Sequence, residues 1–289
     1  MSNENLESKR WLIAGAGIVI QLLLGTVYAW SVFVKPIMAA QGWSQAEVAV
    51  IFMIIIGTIG VSAAFGGILV DKKGPKFAAT TGVILYGTGV LLGGLALKIG
   101  NIWMLYIGYG LIAGIGNGLA YVVPIATLIR WFPDKRGLIT GLAVMGFGLG
   151  AFFIGKIVPG LILNIGVANT FFVLGAVYLV GNGLAAMLLK NPPTGWLPRG
   201  FTPSASTVSA ADSFSWNEAK KTSQWYMIWA MLFLNVSAGM GLLSKLSPMA
   251  QDVYRVAQGI TDPAQLAILG GGVLATASIF NGLGRLFTS

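Results

Sequence analysis

The stretch GILVDKKGPK, residues 67–76, closes one long apolar run and precedes another. Its spaced polar and small residues are Gly67, Asp71, Lys72, Gly74 and Lys76. The flanking runs, 48–70 and 77–97, each exceed the roughly 20 residues that a helix needs to cross a hydrocarbon core of about 30 Å. Residues 67–76 therefore predict a short basic turn between two membrane-spanning helices.

Working outward from this turn, the rest of the chain repeats the same alternation of apolar runs and short polar segments. The further runs are 11–34, 102–129, 138–165, 167–189, 225–246 and 264–287. With 48–70 and 77–97 they give eight predicted spans, numbered one to eight in chain order. Of the 289 residues 56% are hydrophobic and 9% are charged, against about a quarter charged in soluble domains, so an all-α membrane protein is predicted.

The residue types exclude most catalytic chemistry. The chain has no cysteine and no histidine, so it offers no thiolate, imidazole or usual zinc site, and we expect no enzyme, no cofactor and no metal. The net charge of +9 does not predict nucleic-acid binding, because the basic residues lie in short clusters between apolar runs.

The distribution of Lys and Arg predicts a multi-pass protein of the cell membrane with a cytoplasmic amino terminus. On that orientation 12 of the 18 basic residues lie on the cytoplasmic side, which is where the excess is expected. These are Lys9, Arg10, Lys72, Lys73, Lys76, Arg130, Lys135, Arg136, Lys190, Arg199, Lys220 and Lys221. Four lie on the outer side, namely Lys35, Lys98, Lys245 and Arg255.

A polar segment rich in Pro, Ser and Thr divides the spans into two groups. We predict a cytoplasmic tail at 1–10, a six-span bundle at 11–190, a cytoplasmic linker at 191–224 and spans seven and eight at 225–289. Six spans, a linker and further spans suit transporters that hold substrate between two similar bundles near the midplane.

Residues 67–76 match the signature loop of the major facilitator superfamily, G-x-x-x-D-[KR]-x-G-x-[KR]. A basic turn that merely obeys the positive-inside rule is the alternative. A second block, RWFPDKRG at 130–137, follows span four and contributes Arg130, Asp134 and Arg136. Together with GTVYAWSVF at 25–33 and NPPTGWLP at 191–198, it resembles the oxalate/formate antiporter family of bacterial carboxylate transporters, in its monocarboxylate branch.

This resemblance implies the major facilitator fold in the bacterial inner membrane, with a gating role for the signature loop and the second block. It implies a complete amino-terminal six-helix bundle plus the first two helices of a second bundle. In the family, span eight continues into a second signature loop, whereas this chain ends at Ser289, so we expect a truncated chain. A lysine of span eleven, the family's other cationic ligand, would lie in the missing part.

Arg285 is the candidate anion ligand, because a guanidinium inside a span costs several kcal/mol and normally faces the protein interior or a water-filled path. Its planar fork fits a carboxylate bidentately. Asn281 lies one helical turn earlier on the same face, and the resemblance implies a substrate role for this pair. The alternative is that Arg285 snorkels to the cytoplasmic surface.

Aromatic residues supply the other candidate ligands. Tyr28 and Trp30 in span one, Tyr121 in span four and Phe147 in span five coincide with cavity positions that the resemblance implies, although scattered aromatics also pack or face lipid. Phe147 stands where the family can have tyrosine. With Val27 it makes a lactate-like or pyruvate-like substrate more plausible than oxalate.

Two glycine pairs, Gly114 with Gly118 and Gly146 with Gly150, permit close helix approach. Packing alone explains them. The alternative is that the pair in span five smooths an interface that rocks.

The predicted function is secondary active transport of a small carboxylate anion of the lactate, pyruvate, formate and oxalate class by alternating access in the lipid bilayer. No aspartate or glutamate lies deep in a span, which favours anion exchange, or symport with a proton carried by the substrate or by other segments. A membrane solute sensor that binds without transporting is the alternative. The exact anion, the choice of symport or antiport and the oligomeric state stay open.

Overall fold

The computed structural model describes residues 3–202 and 216–287, and within these ranges the regular structure is helical. The long helices that correspond to single spans are Gln45–Lys73 (span two), Pro75–Ile99 (three), Ser223–Gln258 (seven) and Pro263–Phe287 (eight). The others are subdivided, as described below. We call the end of the bundle that carries residues 71–76 and 130–136 the inner end and the opposite end the outer end.

Spans five and six are joined by a single residue. The helical segment Arg136–Leu188 has 53 residues, about 80 Å at 1.5 Å per residue, which is far more than one crossing needs. Gly166 interrupts it with φ 80° and ψ 163°, a conformation that a residue with a Cβ rarely adopts. In the described part of the chain, the seven apolar helices long enough to span a membrane therefore provide eight spans, as the sequence predicts.

Span one is interrupted at mid-depth. It comprises the α-helix Asn3–Gly25, the 3₁₀ turn Thr26–Ala29 and the α-helix Ser31–Gln41. The first helix starts at Asn3, so the described part of the segment predicted as a tail is helical. The linker contains a short helix, Trp216–Ala219, and its residues 203–215 lie outside the described part of the chain.

Buried polar side chains satisfy the backbone around this interruption. The Asn117 amide donates to the Leu24 carbonyl over 3.0 Å, and the Thr26 hydroxyl donates to the Leu23 carbonyl over 2.6 Å. The Thr26 hydroxyl also lies 3.1 Å from the hydroxyl of Tyr86 in span three. Non-α backbone at membrane depth is tolerated only where the protein itself provides such partners.

Spans four and seven also depart from the simple prediction. Span four combines the α-helix Ile102–Leu105, the π-helical segment Tyr106–Ala113 and the α-helix Gly114–Trp131. Span seven continues well past residue 246, its predicted end, to Gln258, so Arg255 lies on a helix and not in a loop.

The two groups of spans meet along spans five and eight. A Cβ on Gly155 would lie 2.5 Å from the Gly271 carbonyl oxygen, and the Ser278 hydroxyl donates to the Gly148 carbonyl over 2.6 Å. Span five thus lies in near backbone contact with span eight. The smooth face of span five toward the second bundle is formed by Gly148 and Gly155. The predicted pair of that span, Gly146 and Gly150, does not form it.

Both predicted glycine pairs serve contacts inside the first bundle. Gly146 lies against Ile18 of span one, and a Cβ on Gly150 would lie 2.5 Å from the Gly25 backbone. Gly114 and Gly118 lie against span two. The packing interpretation therefore accounts for all four.

Span seven touches the first bundle mainly at the outer end. Its buried residues, Leu243, Ser247, Pro248 and Gln251, all belong to its outer half. Near them Lys35 Nζ of span one lies 2.6 Å from Asp252 Oδ1 of span seven. The inner half of span seven is exposed, so span seven meets the first bundle near the outer end. Span eight, in contrast, stays against span five as far inward as Gly282, which lies beside Met145 and Leu149.

Candidate substrate site

Arg285 lies where the two groups of spans face each other at mid-depth. Its Nη2 donates to the Tyr28 hydroxyl over 3.2 Å, and its Nε donates to Asn281 Oδ1 over 3.0 Å. Asn281 belongs to the same helix, whereas Tyr28 belongs to the interrupted part of span one. The guanidinium head is therefore held toward the first bundle and is half-buried.

Three aromatic rings form the wall of the first bundle next to Arg285. The rings of Tyr28 and Tyr121 each meet the ring of Phe147 edge to face, with centroids 4.9 Å apart in both pairs. Phe147 itself is only 2% exposed. It therefore fixes the two tyrosines and offers little surface of its own to a solute.

The structure brings together five predicted site residues from four separate stretches of sequence, namely Tyr28, Tyr121, Phe147 and the pair Asn281 and Arg285. It places Trp30 elsewhere. The Trp30 ring stacks on Tyr109 at 5.1 Å and borders a cavity of about 670 Å³ between spans two and seven, near Lys245. Trp30 follows Tyr28 by two residues, and the 3₁₀ turn directs it to a different surface.

Polar residues that the sequence reasoning missed support this wall. Gln21 donates to the Tyr121 carbonyl over 3.2 Å, and Asn117 holds the interruption that carries Tyr28. Both amides are fully buried. The signal was available in the sequence, because an amide inside an apolar run needs a partner in the protein.

At the inner end, the signature loop pairs within the first bundle. Arg130 Nη2 lies 2.8 Å from Asp71 Oδ1, and this pair joins the ends of spans two and four. Gly74 has φ 82° and precedes Pro75, the first residue of span three, so it forms the turn. A Cβ on Gly67 would meet open space. The neighbouring Gly66, by contrast, lies against the backbone of span four, because a Cβ there would lie 2.8 Å from the Leu119 carbonyl oxygen.

The second block has a partner that the sequence did not indicate. Arg10 Nη1 lies 3.1 Å from Asp134 Oδ1, and Arg10 Nε lies 2.9 Å from Glu7 Oε2. Arg10 also lies over the ring of Phe132. This cluster ties the start of span one to the turn after span four. The side chains of Lys72, Lys76 and Arg136 are exposed.

The Arg285 cluster has the chemistry of an anion site. A guanidinium binds a carboxylate more strongly than it binds neutral oxygens, because the hydrogen bonds are assisted by charge. The Tyr28 hydroxyl accepts from Arg285 and keeps its own O–H to donate. Tyr121, on the far side of Phe147, brings a second phenol to the same wall.

Comparison with known proteins identifies the family. Residues 17–289 match the Major Facilitator Superfamily. The chain belongs to this superfamily. Its multi-pass helical architecture is therefore that of a major facilitator protein, and the relatives it matches are transporters and not enzymes.

Similar proteins of this superfamily include two bacterial transporters. The chain is 26% identical over 266 residues to the uncharacterized MFS-type transporter YhjX of Escherichia coli, covering 90% of this chain and 64% of the relative. It is 25% identical over 258 residues to the oxalate:formate antiporter of Oxalobacter formigenes, covering 89% and 59%. The chain thus spans about three fifths of the length of these relatives.

An animal protein matches over a shorter stretch. Monocarboxylate transporter 13 of Bos taurus is 34% identical over 131 residues, which cover 45% of this chain and 30% of that protein. Membership of the major facilitator superfamily and likeness to carboxylate transporters agree with the resemblance found in the sequence motifs.

Proposed function

We propose that this major facilitator chain belongs to a secondary active transporter of small carboxylate anions, with Arg285 as the anion ligand. The observation that carries the proposal is the position of the guanidinium, 3.2 Å from Tyr28 of the opposite group of spans. An arginine that snorkels would turn its head away from the protein toward the headgroups. Likeness to an oxalate:formate antiporter and to a monocarboxylate transporter supports the substrate class.

The proposed bound state places the carboxylate between Arg285 and the tyrosine hydroxyls. One carboxylate oxygen accepts from the guanidinium, and the other accepts from the O–H of Tyr28. Asn281 holds Nε of Arg285 and so fixes the plane of the guanidinium. The nearby wall is aromatic, which suits an anion with a small apolar body, such as lactate or pyruvate, better than a dianion such as oxalate.

The arrangement of the spans supports alternating access as the proposed mechanism. The close contact between spans five and eight serves as the surface on which the bundles rock. The ion pairs of the inner end, which include Asp71 with Arg130, keep the first bundle rigid during this motion. The protein lies in the cell membrane with its amino terminus in the cytoplasm, and it exchanges anions or takes a proton with the substrate.

Counterflow uptake of labelled lactate, formate and oxalate into proteoliposomes tests the proposal. The full-length protein is compared with its Arg285→Lys variant, which keeps the charge and loses the bidentate fork. We expect uptake of one of these anions in the wild type and a loss of at least about tenfold in the variant, since one charge-assisted hydrogen bond is worth about 1.5–3 kcal/mol.

Equal uptake by the two proteins would refute the assignment of Arg285. Binding of an anion by the wild type without any flux would favour a membrane solute sensor, and it would overturn the transport proposal while leaving the anion site in place.

A further inference from the structure

A second basic cavity lies at the outer end, away from Arg285. It has a volume of about 470 Å³ and is bordered by spans one, five, seven and eight and by the turn at Gly166. Two cations, Lys35 of span one and Arg255 of span seven, line it together with the buried amide residue Gln251. No function proposed above uses this cavity.

A carboxylate of the protein already forms an ion pair with one of these cations. Lys35 Nζ lies 2.6 Å from Asp252 Oδ1, and the two residues belong to different groups of spans. Asp252 is a side chain of the protein, yet its carboxylate is the same chemical group as that of the proposed substrate. The contact shows that Lys35 pairs with a carboxylate at hydrogen-bonding distance.

The exposure of both side chains allows another carboxylate to replace Asp252 at Lys35. The side chain of Asp252 is 65% exposed and that of Lys35 is 30% exposed, so water competes strongly for both. Exposed pairs of this kind are weak. Arg255 adds a second positive charge at the same cavity, and Asp252 is not among the lining residues. A small anion entering the cavity therefore meets two cations, and Asp252 competes with it only at Lys35.

The remaining walls are apolar. They are formed by residues such as Val32, Pro36, Pro159, Ile162 and Leu266. A cavity with cations at one side and apolar walls at the other fits an anion that has one charged end and one apolar end.

We propose that Lys35 and Arg255 form an outer docking site for a small monocarboxylate, in which Asp252 is the internal carboxylate that the incoming anion displaces. The proposal rests on the proposed transport function and adds an outer binding site that the anion visits before the Arg285 site. Because Asp252 and Lys35 belong to different groups of spans, displacement of Asp252 also removes one weak contact between these groups at the outer end.

The test is the concentration dependence of uptake from outside by cells that express the full-length protein. Lys35→Gln is expected to raise the external KM for lactate by about tenfold at low ionic strength, because a cation at the entrance concentrates anions, and by less at high ionic strength, where the charge is screened. Asp252→Asn is expected to lower this KM by about two- to fivefold, since it removes a competitor held by a weak exposed pair.

Lys98→Gln is the matched control. Lys98 is an exposed lysine in the last turn of span three, on the outer side, and does not line the cavity. In the Lys98→Gln protein, the external KM for lactate and the dependence of this KM on ionic strength should equal those of the wild type.

The opposite signs of the two substitutions make the proposal refutable. If Lys35→Gln behaves like Lys98→Gln in an active protein, the docking site is wrong. If Asp252→Asn changes the maximal rate and leaves KM unaltered, the pair is only a structural contact between bundles. Loss of uptake in Arg285→Lys combined with unchanged KM in Lys35→Gln would refute this site alone, whereas a wild type that moves no carboxylate would refute the proposed function itself.

Discussion

The Tyr28 hydroxyl gives the sharpest quantitative test of the Arg285 site. Tyr28→Phe removes the oxygen that accepts from Arg285 over 3.2 Å and keeps the ring that packs on Phe147. In the proposed bound state the Tyr28 O–H donates to the carboxylate, and Tyr28→Phe removes that bond as well. A hydrogen bond to a charged group contributes about 1.5–3 kcal/mol, and we take the low end, about 1.5 kcal/mol. Since about 1.4 kcal/mol is a factor of ten, kcat/KM for the transported carboxylate should fall about tenfold.

The assay is initial uptake of the labelled anion in proteoliposomes, normalised to the amount of folded protein. Tyr106→Phe is the control, because its hydroxyl donates to the Glu47 carbonyl over 3.0 Å at the outer end and lies far from the candidate site. It removes one hydrogen bond without touching Arg285. A Tyr28→Phe protein with the kcat/KM of Tyr106→Phe would refute the role given to this hydroxyl.

Two further predictions address the interface between the bundles and the inner end. Gly155→Ala should slow uptake more than Gly160→Ala on the same span, because a Cβ at 155 meets the Gly271 carbonyl oxygen at 2.5 Å and a Cβ at 160 meets nothing within 4 Å. Initial rates of counterflow check this, and equal rates would remove span five from the moving interface. Asp134→Asn should destabilise the folded protein by about 2 kcal/mol, since it takes one of two carboxylate partners from the nearly buried guanidinium of Arg10 and leaves it only Glu7. Asp71→Asn, in a more exposed pair, should cost under about 1 kcal/mol. Thermal unfolding in detergent compares the two variants. A loss of stability in Asp71→Asn that equals or exceeds the loss in Asp134→Asn would contradict the burial argument.

The spans were predictable because a lipid core imposes one length and one composition on every crossing. Apolar runs alone give the eight spans, and Gly166 between two of them marks the single-residue turn. The interruptions at Thr26–Ala29 and Tyr106–Ala113 were not predictable in this way. They depend on partners from distant spans, such as Asn117, and hydropathy does not register those contacts.

The candidate site was predictable in part for the same reason. Charge inside a span makes Arg285 a candidate ligand, and helical spacing adds Asn281. The family resemblance supplies Tyr28, Tyr121 and Phe147, which the fold brings to one place. It also supplies Trp30, which the fold does not bring there. The direction in which the Trp30 side chain leaves the 3₁₀ turn depends on backbone geometry, and residue type does not reveal it.

The hydrogen bond between Arg285 and Tyr28 has a consequence for slippage, the return of an empty carrier. The bond crosses from one group of spans to the other, so a motion that parts them at mid-depth takes a hydrogen-bond acceptor from a guanidinium in a medium of low polarity. A carboxylate between the two groups supplies new acceptors before the old one is lost. On the proposed function, the empty protein would therefore meet a higher barrier to reorientation than the loaded one, and that difference would tie each turn of the cycle to the movement of an anion.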